Sequence, residues 1–275
     1  MKIKKKYIHN NNHQIFRLIP TGTDKIIIEE RDADKKQAYF NCLHIESGKK
    51  ILKNLQLDEK FWVGIETVYN DVIFFHKFQK PDMPHHRGII AYDIEKKKKI
   101  WEDLENTFLF IKNDKVYSFQ QNFDGRDFFT LNYTTGEVIE KLGNDSSSIN
   151  LLREEVIESE DFSAYIFPSM FDSSNVINQD VNEWLIKLRE NHLISGKIEF
   201  ALKDNLLMFN FHEINADKSL NNKFKAVDLL KGKYIFEVTL NFSTNAFAPD
   251  SFFVKDNLLF LLIERKKLGV YDIIN

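Results

Sequence analysis

A single cysteine, Cys42, stands in the whole chain, so no intramolecular disulfide can form, and a reducing compartment is expected. Proline is sparse, with five residues, and glycine numbers only ten, which excludes collagen-like and linker-like compositions. No uninterrupted apolar run approaches the ~18 residues that would span a bilayer, and Tyr7–Gln14 is polar where an export signal would be apolar. A cytoplasmic protein with no membrane partner is therefore expected. Excess charge is missing too. The formal net charge of −3 gives no basic surface for a nucleic-acid partner. Lysine runs such as Lys4–Lys6 and Lys96–Lys99 read as solvated surface.

What is present is a degenerate repeat. An apolar residue, then Asp, Asn or His, then a second apolar residue recurs at Leu43-His44-Ile45, Tyr92-Asp93-Ile94, Leu131-Asn132-Tyr133, Val227-Asp228-Leu229 and Tyr271-Asp272-Ile273. The spacing of about 40–50 residues is that of four-stranded propeller blades. Gly48, Gly136 and Gly232 share one turn column, where glycine accepts positive φ freely, and Lys97 occupies the same column in the second unit. The recurring polar residue is expected to cap turn amides and not to form a ring of catalytic carboxylates.

The fold class expected is all-β: a β-propeller of five or six four-stranded blades, six preferred with one degenerate, in a single domain over residues 1–275. A degenerate blade with one short helical insertion is assigned to about 145–195. Within it Glu154–Glu158 and Ser163–Phe167 read as strands, and Asp180–Asn191 as a helix capped by Asp180, with Val181, Trp184, Leu185 and Leu188 on one face. The strand Gln14–Ile19 is expected to complete the last, three-stranded unit and close the ring.

Ala91-Tyr92-Asp93 followed by Trp101, and Thr130-Leu131-Asn132 followed by Thr135-Gly136, resemble the A-x-D-x-x-T-G-x-x-x-W frame of quinoprotein-like repeats, a relative of WD40-like blades. The segments Pro81–Trp101, Phe167–Leu188 and Phe252–Tyr271 resemble an uncharacterised bacterial family of propeller-like proteins of unknown function. The resemblance implies blades. It implies no quinone cofactor and carries no catalytic residue.

The segment from His76 to Gly88 holds three of the eight histidines and two of the five prolines. It reads as the connection between the second and third strands of its unit. His76, His85, His86 and Arg87 are the candidate ligand-binding residues. His85 and His86 are candidate metal ligands, because neutral imidazoles bind transition metals. Asp161, Asp172, Ser173 and Ser174 flank the irregular segment as turn formers. The Walker, dinucleotide-glycine, Gly-Xaa-Ser-Xaa-Gly and His-Glu-Xaa-Xaa-His motifs are absent. The leading expectation is a non-catalytic binding or scaffold protein for a protein or small-molecule ligand, with no cofactor beyond a divalent metal. The alternative is a metal-assisted hydrolase or lyase built on the His76–Arg87 segment.

Overall fold

The computed structural model describes residues 1–80, 83–174 and 178–274. It is 59% strand and 10% helix, arranged as small antiparallel sheets. Five sheets are formed by the described residues. The chain divides into two compact units, His13–Glu160 and a second made of Met1–Asn12 with Asp161–Asn275.

The unit His13–Glu160 contains three four-stranded meanders. The first is Gln14–Pro20, Lys25–Asp32, Gln37–His44 and Lys50–Leu55; the second Val63–Tyr69, Val72–Lys80, Met83–Asp93 and Lys98–Asp103; the third Thr107–Lys112, Lys115–Asn122, Gly125–Asn132 and Val138–Gly143. Strands of the second are apolar on both faces because that sheet is covered on both sides. Ile27, Phe40, Ile73 and Phe75 fill one core; Phe74, Ala91, Trp101, Val116 and Leu131 fill another. Hairpins reverse at Asn70-Asp71 (φ 44° and 61°) and Asn113-Asp114 (φ 50° and 60°). Two consecutive left-handed residues fit the twist of paired strands, and Asn and Asp tolerate that conformation best after glycine.

At Asp93, Asn132 and Asp228 the repeat column caps turns as expected, while Asp272 accepts from Lys6 Nζ at 2.8 Å. Asp93 Oδ1 accepts from Lys96 N at 2.8 Å, Asn132 Oδ1 from Thr134 N at 2.9 Å, and Asp228 Oδ1 from Lys231 N at 3.1 Å. Gly48, Gly136 and Gly232 all have positive φ, and Lys97 adopts 53° in the same column. Cys42 is buried, and burial pushes its thiol up to about 12, so it is an inert packing residue.

Several expectations need correction. Glu154–Glu158 is not a strand but the end of a helix, Ser146–Glu158. Asp145 Oδ1 caps it by accepting from Ser147 N at 3.0 Å, and Ile149, Leu152 and Val156 form a helical stripe against Phe110 and Phe128. The region 145–195 forms no sheet of its own. Its two-residue strands join existing edges, Tyr165–Ile166 beside Phe252–Lys255 and Ser169–Met170 beside Ile194–Lys203. Pro168, between them, has no amide to donate and interrupts the ladder. The preferred count of six therefore falls to five sheets.

The second unit contains those two sheets. One comprises Ser169–Met170, Ile194–Lys203, Leu206–Ile214, Leu220–Asp228 and Lys233–Thr244. The other orders Lys2–Asn10, Lys267–Ile274, Leu258–Ile263, Phe252–Lys255 and Tyr165–Ile166. The strand that completes the last three-stranded unit is thus Lys2–Asn10, from Lys2 opposite Ile274 to Asn10 opposite Lys267. Gln14–Pro20 opens the first sheet instead. The helix near residue 180 spans Gln179–Asn191, with Val181, Leu185 and Leu188 buried as expected. Its cap is Asn178, whose Oδ1 accepts from Asp180 N at 2.9 Å, and not Asp180. Asp161 and Asp172 accept from Ser163 N and Ser174 N, as turn formers do. No helix among the described residues is long and apolar enough to cross a membrane.

Candidate metal centre

Among the described residues of the segment, His76–Lys80 and Met83–Gly88 are strand and not loop. Val72–Lys80 and Met83–Asp93 form one long hairpin, with Lys77 opposite Arg87 and Phe78 opposite His86. Pro81 and Asp82 lie outside the described residues.

Two β-bulges shape this hairpin and its neighbour. Ile65 pairs with Phe75 and Thr67 with Phe74, which leaves Glu66 as the extra residue of its strand. Across the central strand, Phe75 pairs with Ile90 and Lys77 with Arg87, so Gly88 and Ile89 together oppose His76. Gly88 takes φ 72°, the conformation a bulge of this kind demands. A bulge re-aims side chains, and here both flank one histidine.

His76 is only 3% exposed. It lies over Gly64, where a Cβ would come within 2.8 Å of its Nε2. Its ring stacks on His86 at 3.5 Å between centroids and 7° between planes, and Phe78 meets both rings edge-on. Glu66 Oε1 is 2.7 Å from His86 Nδ1 and 3.0 Å from His76 Nδ1. The His86 contact is a hydrogen bond. The His76 contact has the distance but not the alignment, and both His76 nitrogens are buried with no hydrogen-bond partner among the described residues. Burial alone would raise the Glu66 carboxyl, but hydrogen bonding and the charge of the two imidazoles outweigh it and hold the group at about 2.

The strand bearing Glu66 is clamped from the first sheet. Arg31 donates to the carbonyls of Phe61 and Val63, and Arg17 Nη1 to that of Ile65 at 2.5 Å. Arg31 is itself neutralised by buried Glu29, with Nε 2.9 Å from Oε1. These contacts tie down the backbone on either side of the bulge.

His76 and His86 are therefore brought together, and Glu66 joins them. His85 is not part of the group. It neighbours His86 on an extended strand, so the two side chains leave opposite faces and cannot ligate one ion together. Arg87 is exposed, and its Nε donates to Leu104 O at 3.3 Å. Glu66 escaped the sequence reading because an isolated acid in a strand is ordinary. Its one signal is the broken alternation at Ile65-Glu66-Thr67.

The donor atoms of Glu66, His76 and His86 all lie within 4.8 Å of one another. Neighbouring donors around a transition metal with bonds of about 2.1 Å are separated by about 3 Å, as the carboxylate and imidazoles are here. The set, two imidazoles and a carboxylate, suits zinc and its divalent neighbours. The stacking sets a condition. A metal lies in the plane of each ring that binds it, and two parallel rings 3.5 Å apart share no plane. His86, whose side chain is 39% exposed, is the ring free to turn; His76 is held.

No curated protein matches the chain. Residues 19–101, which include Glu66, His76 and His86, match a family described as a domain of unknown function, DUF4905.

Proposed function

We propose that this is a binding protein whose second sheet holds a divalent transition metal through Glu66, His76 and His86. The observation supporting it is the buried His76 imidazole, which lacks any aligned hydrogen bond while two further donors converge on it. An unsatisfied buried polar group is costly, and coordination would remove that cost. His76 is the fixed ligand, Glu66 the anionic one, and His86 the ligand that turns out of its stack to close the site. The five sheets are read as blades of one propeller domain over residues 1–275. The four-stranded meanders, their repeat column and the pairing of Lys2–Asn10 with Lys267–Ile274 support that reading. The proposed setting is the cytoplasm, with a protein or small-molecule ligand, and without nucleic acid or membrane.

Zinc chloride titrated calorimetrically into the full chain tests the site. One ion per chain is expected, with affinity reduced at least about tenfold in His86→Ala and in Glu66→Gln. Absence of a zinc isotherm, or one that His86→Ala leaves unchanged, refutes the proposal.

One observation favours a second reading, a metal-assisted hydrolase or lyase. Three protein donors leave a coordination position open, which is the arrangement of catalytic zinc sites. Zinc-dependent hydrolysis of activated esters or phosphoesters, lost in Glu66→Gln, would support it.

A further inference from the structure

The second unit holds a separate cleft of about 290 Å³, at the small end of ligand-binding pockets. Met170, Phe247 and Pro249 line it with apolar surface, and Glu199 and His212 with polar surface. The irregular pairing of Ile194–Lys203 with Leu206–Ile214 makes the room. Register jumps between Ser195 and Glu199, and Gly196 sits in the jump at φ 75°.

The walls are held in place. A Cβ on Gly196 would come within 2.9 Å of Phe247, so the Phe247 ring rests directly on that backbone. The ring's edge-on contact with His212, at 5.1 Å and 89°, fixes it from the other side. The rim segment is tied to the floor by two amides. Ala248 N donates to His212 Nε2 at 3.0 Å, and Asp250 N donates to Glu199 Oε1 at 3.3 Å. Accepting at Nε2 puts the His212 hydrogen on Nδ1, and burial keeps the ring below its ordinary pKa, hence neutral.

Glu199 is the anomaly. It is 6% exposed, and its Oε2 is buried with no hydrogen-bond partner among the described residues. Asn210, directly opposite it in register, has an Oδ1 in the same condition. Burial raises the Glu199 carboxyl above its ordinary value, against the pull of the Asp250 and Asn210 amides, and the Asp250 charge raises it further. Among the lining residues Glu199 is the acid, buried on the floor, while Lys197 is exposed at the edge and His212 is neutral; Asp250, whose amide bonds Glu199, adds a second acid next to it. Phe247 and Met170, both about half exposed, offer an aromatic face and a polarisable wall.

We propose that this cleft binds a small primary amine with an apolar substituent. The ammonium meets Glu199 Oε2 and the substituent lies on Phe247 and Met170. The ammonium supplies the donor that the buried Glu199 Oε2 lacks, and the apolar group replaces water on the hydrophobic walls. This site is independent of the metal centre.

The probes are 2-phenylethylamine, its neutral analogue 2-phenylethanol and the anion 3-phenylpropionate, each titrated into the full chain by calorimetry. The amine is expected to bind at least about tenfold more tightly than either analogue. Glu199→Gln keeps the shape, removes the charge and should weaken the amine at least about tenfold. Met170→Lys sets a competing ammonium opposite Glu199 in register, on a half-exposed strand, and should abolish binding while circular dichroism stays unchanged. If Glu199→Gln fails to fold, Met170→Lys decides. The proposal is overturned if 2-phenylethanol binds as well as the amine, which would mean a protonated Glu199 serving a neutral ligand. It is equally overturned if 3-phenylpropionate binds best, making Lys197 the anchor, or if the amine shows no binding at roughly 10 mM.

Discussion

Replacing Gly64 with alanine adds one methyl group beneath His76. That methyl would come 2.8 Å from Nε2 and 2.9 Å from Cε1, where ordinary contact begins at 3.4 Å. The imidazole must then retreat by about 0.6 Å. Its retreat presses on the His86 ring stacked at 3.5 Å, which must turn out of the stack, and on Phe78 at its edge. Overpacking of this kind costs about 1–3 kcal/mol. The expected result for Gly64→Ala is an unfolding free energy lowered by that amount in urea titrations, and a zinc affinity at least about tenfold weaker, since the fixed ligand has moved. The decisive comparison is the same substitution in a His76→Ala background. With the imidazole gone the methyl enters empty space, so the two changes should be non-additive by about 1 kcal/mol or more. An equal cost in both backgrounds would falsify the claim that Gly64 is small to admit His76.

Acid tests the Glu66 bridge. Its carboxyl lies at about 2 against an ordinary 4.5, so its stabilisation is complete above about pH 4.5 and disappears as pH falls from there through about 2. Urea midpoints measured across that window should fall less steeply for Glu66→Gln than for the wild type; parallel curves would remove the bridge from the account. Deleting residues 1–10 takes away the strand paired with Lys267–Ile274 and the buried Ile3. The truncated chain should melt lower and self-associate in light scattering, and unchanged behaviour in both would show that the pairing is dispensable. Cys42 in the native protein should not react with a water-soluble disulfide reagent, and rapid reaction would contradict its burial.

Turn chemistry was the part of the fold most legible in the sequence. An Asp or Asn before a glycine column states a local requirement for capped amides and positive φ, and local requirements repeat when the unit repeats. Pairing partners were harder. Nothing in Lys2–Asn10 distinguishes a strand paired with the next segment from one paired with the far end of the chain, and the apolar residues of Gln14–Ile19 fit either place. The stretch at 154–158 misled because five residues, with Val156 and Ile157 adjacent, form a window too short to separate two periods; Asp145 and Ile149, upstream, decide for helix. At the site, the histidine-rich segment stood out by composition, but composition does not reveal faces. Alternation separates His85 from His86, and bulges, invisible in sequence, bring Glu66 and His86 to His76.

The pairing of Lys2–Asn10 with Lys267–Ile274 also has a consequence for how the protein is made. The strand is synthesised about 260 residues before its partner, which follows after about 13–52 s of translation. Throughout that interval it is an unpaired edge, the kind of segment that joins neighbouring chains. Lys2, Lys4, Lys5 and Lys6 surround the buried Ile3. Lysine on an open edge resists association between molecules, so this basic run acts as a gatekeeper for the nascent chain.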